Sequence, residues 1–360
     1  MIPRILTINP GSTSTRATLF EGGACLRDVE IAHPQAELAG FPCVMDQLGY
    51  RLEALAGHLG DVGRLDAVAG RGGFLRPIPG GVYAVSQAML DELAQAPHGE
   101  HASNLGAFLA VDFARRAGCP AFVVDPVATD ELDDVSRLTG LPEISRRTIF
   151  HALGQRGAAR EAAARLGLRY EDGRFVVAHL GGGISVGAHR LGRVADVTNA
   201  MDGEGPFSPE RSGALPLLPV LDLLDSGVHS ICSLRRAVTT QAGLTAHLGV
   251  SDLRKVEAMI EAGDAKAARV FEALAYNIAK HAASMLPALR GPADAIVLTG
   301  GMARSKRLME ALEGLLGGLA RVEVVTGVEE MSSMCRGALL ALKGELPVQA
   351  YPPGAEDAGL

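Results

Sequence analysis

Three turns built from small residues stand out because their chemistry is the same. The first is NPGSTST (Asn9–Thr15), the second lies in AHLGGGISVGAH (Ala178–His189), and the third is TGGMARS (Thr299–Ser305). Glycine and serine leave backbone N–H groups uncovered, and serine adds hydroxyl donors, so such turns can cradle an anion. Taken singly, each reads more readily as an ordinary hairpin or strand–helix turn. Three together, two of them in corresponding places of the two halves, point to the phosphates of a nucleotide. The lysine-bearing phosphate loop G-x-x-x-x-G-K-[ST] is excluded, since no lysine follows a glycine, and the H-R-D and D-F-G set of protein kinases is missing as well.

Phosphoryl transfer also needs carboxylates, cations and a charge-stabilising shell. Asp125 closes the run AFVVD, at the C-terminal end of a buried strand where α/β sheets gather ligands; it suits a magnesium carboxylate or a turn residue ahead of Pro126. Glu329 and Glu330 follow RVEVVT and suit either a metal or a helix N-terminus. Arg71 sits in GRGGF, and Arg211 in DGEGPFSPERSG (Asp202–Gly213), a stretch with neither helical nor strand period. A guanidinium fork matches a carboxylate or phosphate with two parallel hydrogen bonds, although surface solvation is an arginine's usual fate. His101, His151 and His179 fall beside turns and suit a phosphate donor or a packed side chain; His33, His58 and His229 read as surface residues. No general base is evident, and a carboxylic acid acceptor would need none, being ionised at neutral pH.

The elements that must position these groups alternate. Short β-rich runs are expected at Arg4–Asn9, Arg16–Glu21, Ala67–Gly70, Ala121–Asp125, Phe175–His179, Ala295–Thr299 and Val322–Thr326. Helical spacing is expected over Ser86–Gln95, Ser103–Ala117, Ala152–Leu166, Asp252–Ala262, Asp264–Leu289 and Lys306–Leu316. This is an α/β pattern, and 360 residues suffice for two domains. A net charge of −7 and 4% aromatic residues argue against a nucleic-acid surface, and no apolar run reaches membrane-spanning length. Five cysteines without C-x-x-C spacing suit a reducing compartment, as small core or surface residues. The N-terminus, MIPRILTINPGSTSTR, lacks a secretory apolar stretch and reads as an immediate strand, so a cytoplasmic protein without a cleaved leader is expected.

The motifs INPGSTSTR, VAHLGGGISVGAHR and DGEGPFSPERSG resemble those of the butyrate kinases, in the acetate kinase family of the actin-like ATPase superfamily, and the likeness runs from about Ile5 to about Leu342. The resemblance implies two duplicated actin-like (ribonuclease H-like) ATPase domains with a nucleotide cleft between them. These would be 1–150 plus 331–360, with a returning C-terminal helix, and 151–330, with the adenosine motif. It implies ATP/ADP and Mg²⁺ as cofactors, a small carboxylic acid as substrate, and a homo-oligomer, at least a dimer, that engages neither nucleic acid nor membrane.

Residue by residue, the resemblance gives Asn9 and Ser12 to the first phosphate loop, Arg16 to its flank, and His179, Gly181, Gly182, Gly183 and Ser185 to the second. Gly300, Gly301 and Met302 match the adenosine motif. Asn9, Asp125 and Glu329 correspond to the metal's surroundings, Arg71 and Arg211 to arginines that bind the carboxylate and stabilise the transferring group, and His151 to a histidine touching that group. His101 and Asn104 match an H-N-P-x-N substrate region, which here reads EHASN without the proline. Gly73 replaces an apolar side chain of acetate kinases and is expected to leave room for a longer acyl chain, favouring butyrate or a branched acid. Three other readings are an acetate or propionate kinase, a sugar kinase of the superfamily, with Asp125 as base and the two arginines unexplained, and an Hsp70-like nucleotide-gated binding protein, which would need a large substrate-binding extension.

Overall fold

The computed structural model describes residues 2–354, which divide into two compact units. One comprises the residues up to Asp130 and those from Glu329 onward; the other is Glu131–Val328, so 131–150 group with the second unit.

Among the described residues, the first unit holds seven strands. They are β1 (Arg4–Pro10), β2 (Ser14–Glu21), β3 (Ala24–Ala32), β4 (Ala67–Gly70), β5 (Val82–Ala84), β6 (Ala121–Val124) and β12 (Val348–Gln349), in the order β12-β5-β6-β4-β1-β2-β3. β1, β2 and β3 form an antiparallel meander, and β1, β4 and β6 run parallel. The second unit has β7 (Arg174–Leu180), β8 (Ile184–Arg190), β9 (Arg193–Val197), β10 (Ala295–Thr299) and β11 (Val322–Val325), in the order β11-β10-β7-β8-β9. Here β7, β8 and β9 make the meander, and β7, β10 and β11 are parallel. The series β3-β2-β1-β4-β6 and β9-β8-β7-β10-β11 thus repeat one topology, which is the duplication that the two glycine hairpins foreshadow.

Strand alternation explains how each sheet is covered on both faces. Val176, Ala178 and Leu180 of β7 enter one core with Leu274 and Ile278 of the helix Ala265–Ser284 and Leu308 and Leu312 of the helix Lys306–Leu316. Phe175 and Val177 face the other way, onto alanines of the helix Ala152–Arg165. In the first unit, Leu6 and Ile8 pack with Leu55, Leu59, Leu105 and Leu109 of the helices Leu48–Leu59 and Leu105–Ala117, and the helix Glu330–Leu342 packs along β1, β4 and β6.

The expected helix over Asp264–Leu289 is capped by the Asp264 carboxylate, which accepts from the N–H groups of Lys266 and Ala267, but it ends at Ser284. Pro287 has no N–H to give to the Ala283 carbonyl, and the chain continues as a 3₁₀ turn over Leu286–Leu289. Among the described residues, no helix is long and apolar enough to cross a membrane.

Candidate active site

Because β1, β4 and β6 are parallel, their C-terminal ends lie along one edge of the first sheet. Asn9 is near the end of β1, Arg71 follows β4, and Asp125 follows β6, 1% exposed and with φ of 39°. A non-glycine residue in the left-handed region is strained and is held there by its surroundings. Glu330 opens the helix Glu330–Leu342 at the same edge. Its carboxylate accepts from Asn9 Nδ2 at 2.7 Å and pairs with Arg71 Nη2 at 2.9 Å. Arg71 Nη1 is buried and, among the described residues, has no hydrogen-bond partner.

The two neighbouring acids separate. Glu329 is the N-cap residue of that helix and pairs with Arg16 Nη1 at 2.9 Å, while Arg16 also binds Asp28 bidentately; the Asp28 hydrogen bonds raise the Arg16 pKa. Glu330, not Glu329, is therefore the acid that touches Asn9.

Arg71 owes its place to glycines. A Cβ on Gly106 would stand 2.1 Å from the Arg71 carbonyl oxygen, and one on Gly70 would stand 2.1 Å from the Gly106 oxygen. Gly73 is explained differently from the expectation. A Cβ there would lie 2.3 Å from Asn104 Oδ1 and 2.5 Å from Asn104 Cα, so the space that a side chain would fill is taken by Asn104 and is not room for an acyl chain. Asn104 itself is buried, accepts from Phe74 N at 3.0 Å and donates to Gly99 O at 3.2 Å, so its amide braces the turn instead of facing a substrate. His101 accepts from Ser103 N through Nδ1 and lies 5.6 Å from the Phe74 ring.

Ser12 is exposed at the tip of the first hairpin. Beneath the tip lies Arg51, fully buried, whose guanidinium donates to the carbonyl oxygens of Gly11, Ser12 and Ser14 and to Thr15 Oγ1. Sequence reasoning missed it, because an arginine at one of the apolar-face positions of a helix looks like any solvated arginine. His33, expected at the surface, is 3% exposed, with Nε2 at 2.8 Å from Thr15 Oγ1; strand β3, also missed, carries it under the hairpin.

In the second unit the edge formed by β7, β10 and β11 holds the other two turns. Gly181, Gly182 and Gly183 link β7 to β8, and Gly300 (φ 92°), Gly301 and Met302 follow β10. A Cβ on Gly300 would lie 2.5 Å from Leu180 O, so the left-handed backbone and the close approach both require glycine there. The irregular stretch is tied to the glycine hairpin: Ser208 Oγ donates to Gly182 O at 2.7 Å and accepts from Arg211 N at 3.1 Å. Arg211 donates from Nη1 to Ala200 O, and burial lowers its pKa.

His151 and His179 stack, with centroids 4.2 Å apart and planes within 13°. Ser185 departs from its expected place in the phosphate loop. It lies inside β8, fully buried, with Oγ at 2.8 Å from both His151 Nδ1 and Gln155 Nε2, so its hydroxyl serves the histidine and not a phosphate.

Comparison with known proteins agrees with this architecture. Residues 143–330 match the model of the acetokinase family. The chain is 50% identical, across 97% of its length and 98% of the relative's, to a probable butyrate kinase of Maridesulfovibrio salexigens, and 52% identical, across 97% and 99%, to one of Oleidesulfovibrio alaskensis. Among solved structures, it is similar to the acetate kinase of Porphyromonas gingivalis, with a TM-score of 0.73 at 20% identity over 94% of this chain and 100% of that one. A propionate kinase of Francisella tularensis gives 0.68 at 18% identity, over 93% and 98%. The fold is thus that of these acetate and propionate kinases, and the chain belongs to the acetokinase family.

Proposed function

We propose that this protein is a butyrate kinase, which transfers the γ-phosphoryl group of ATP to the carboxylate of a short-chain acid and runs reversibly: butanoate + ATP = butanoyl phosphate + ADP. The observation that carries this reading is Arg71. One guanidinium arm is anchored on Glu330, and the other is buried without a hydrogen-bond partner among the described residues. A buried cationic donor of that kind is costly unless an anionic oxygen meets it. The acid's carboxylate oxygen attacks the γ-phosphorus, the bond to the β,γ-bridging oxygen breaks, and ADP leaves as the anion, so no proton has to be removed. Arg211 and the Gly181–Gly183 amides stabilise the charge on the transferring group, the Asn9–Thr15 turn holds the polyphosphate, and Gly300–Met302 receive the adenosine.

The residues at the edge of the first sheet suit magnesium. Asp125, Glu330 and the Asn9 amide oxygen are hard oxygen donors of the kind magnesium takes, Asn9's nitrogen being committed to Glu330. When bound, magnesium would neutralise phosphate charge. We place Glu330 in this role and Glu329 in holding Arg16.

With Gly73 set aside, chain-length preference rests on the curated relatives named as probable butyrate kinases. Assay of acyl phosphate formation with ATP and Mg²⁺, across linear acids of two to six carbons and branched isomers, tests it. Highest kcat/KM is expected on a four-carbon or branched acid, whereas highest kcat/KM on acetate, or phosphorylation of a sugar alone, would defeat the reading.

We further propose a cytoplasmic homo-oligomer, at least a dimer. Leu217, Leu218 and Ile231, in the helices Leu217–Asp225 and Ile231–Thr240, are 64%, 71% and 69% exposed, large apolar side chains of the kind that oligomers cover. Light scattering behind gel filtration would show a dimer or larger; a monomer at micromolar concentration would refute it.

A further inference from the structure

A chain of buried polar groups runs from the interior of the second unit to His151. Ser185, Gly187 and His189 share one face of β8, and that face meets the helix Ala152–Arg165. Gln155, one turn after His151, lies across them: its Nε2 is 2.8 Å from Ser185 Oγ and 3.1 Å from Ser185 O, and its Oε1 is 3.0 Å from His189 Nε2. Gly187 makes this possible, since a Cβ there would be 2.6 Å from Gln155 Oε1. At the far end, Tyr170 OH is 2.9 Å from His189 Nδ1.

Donor direction follows step by step. A carbonyl oxygen only accepts, so the Gln155 atom facing Ser185 O is the nitrogen, and the atom facing His189 is the oxygen. His189 Nε2 must then carry a proton. His189 is fully buried, and burial, with Arg156 and Arg160 nearby, keeps its pKa well below the ordinary imidazole value, so the ring is neutral and its Nδ1 accepts from Tyr170. Ser185 Oγ receives N–H groups from Gln155 and from the His151 backbone, the latter at 3.4 Å, which occupies both lone pairs. Its own proton goes to His151 Nδ1, 2.8 Å away.

We propose that Tyr170, His189, Gln155 and Ser185 are positioning residues that fix His151 as the tautomer with its proton on Nε2, so that it meets the transferring phosphoryl group as a hydrogen-bond donor. This rests on the kinase reading for the purpose of the donor, but not for its tautomer. Tyr170 OH, His189 Nε2–H, one Gln155 N–H and Ser185 Oγ–H each donate to the next group toward His151, and aligned hydrogen bonds polarise one another. The parallel stack on His179 holds the ring plane.

The test is a long-range proton–nitrogen correlation spectrum of the ¹⁵N-labelled full chain at pH 8, with His151 assigned by its loss in His151→Gln. Wild type should show a protonated Nε2 and a bare Nδ1. Gln155→Met, which keeps the volume and removes all three amide contacts, should populate the Nδ1–H form and lower kcat about 10-fold, with KM for acid and ATP within about twofold, short of the loss from deleting a charge-stabilising donor outright. A protonated Nδ1 in wild type, or a folded Gln155→Met variant with an unchanged tautomer, overturns the proposal. Should that variant fail to fold, the wild-type spectrum decides alone. A correct tautomer in a protein that phosphorylates no carboxylic acid would leave the relay standing and remove the functional reading.

Discussion

Arg211 lays its guanidinium against the bare Cα of Gly183: a Cβ on that glycine would stand 2.0 Å from Arg211 Nη1 and 2.8 Å from Cζ. The glycine turn is therefore shaped by the arginine as well as by any phosphate. Gly183→Ala should push aside the far end of a flexible side chain and leave the backbone in place. We expect kcat/KM to fall by about 10²-fold, on the scale of losing one charge-stabilising donor, with a melting temperature within about 2 °C of wild type. Steady-state kinetics and calorimetry on one preparation check this; unchanged kinetics would detach Arg211 from the turn.

Arg71 is held by backbone and not by a flexible tip. Gly106→Ala would bring a methyl group to 2.1 Å from the Arg71 carbonyl and 2.9 Å from its nitrogen. Strand and helix must separate, at a cost of about 1–3 kcal/mol for overpacking. Denaturant unfolding should register that loss, and kcat/KM should fall for acetate and butyrate by the same factor, because both acids present the same carboxylate to the arginine. A change in the acetate-to-butyrate ratio would contradict this.

Arg51 separates geometry from charge. Its fork meets three carbonyl oxygens and Thr15 Oγ1 in the first hairpin, a pattern that an ammonium group cannot reproduce. Arg51→Lys keeps the positive charge and loses the brace, so KM for ATP should rise about 10-fold while KM for the acid changes less than twofold. Equal rises in both would mean that the residue supports the whole unit.

The parts legible in the sequence were those with a period or a fixed chemical type: most of the strands, the glycine turns, and Asp125 at a strand end. What escaped was decided by partners far along the chain. Arg51 and His33 read as ordinary polar residues until β3 and the helix Leu48–Leu59 bring them under a hairpin some 20 to 40 residues earlier. Gly73 looked like missing bulk, yet the bulk is supplied by Asn104, 31 positions on. Ser185 sits where a phosphate loop would use it, but alternation along β8 turns it inward to Gln155, and the returning helix decides which of two adjacent glutamates touches Asn9.

Poorly solvated histidines should lower the stability as the pH falls. Burial lowers the pKa of His33 and His281 and, with Arg156 and Arg160 close by, that of His189 far more. A depressed imidazole pKa means that the unfolded chain binds protons which the folded chain refuses. The stabilisation is whole above the unfolded value of about 6.5 and is lost as pH falls below it, by up to ~1.4 kcal/mol per pH unit for each such group. Urea titrations at pH 7.5, 6.5, 5.5 and 5.0 should therefore show the unfolding free energy falling below pH 6.5. In His189→Gln, which removes the most strongly shifted group, the slope should be shallower by close to one proton. An unaltered slope would mean that His189 takes up its proton in the folded protein, and would break the donor chain that ends on His151.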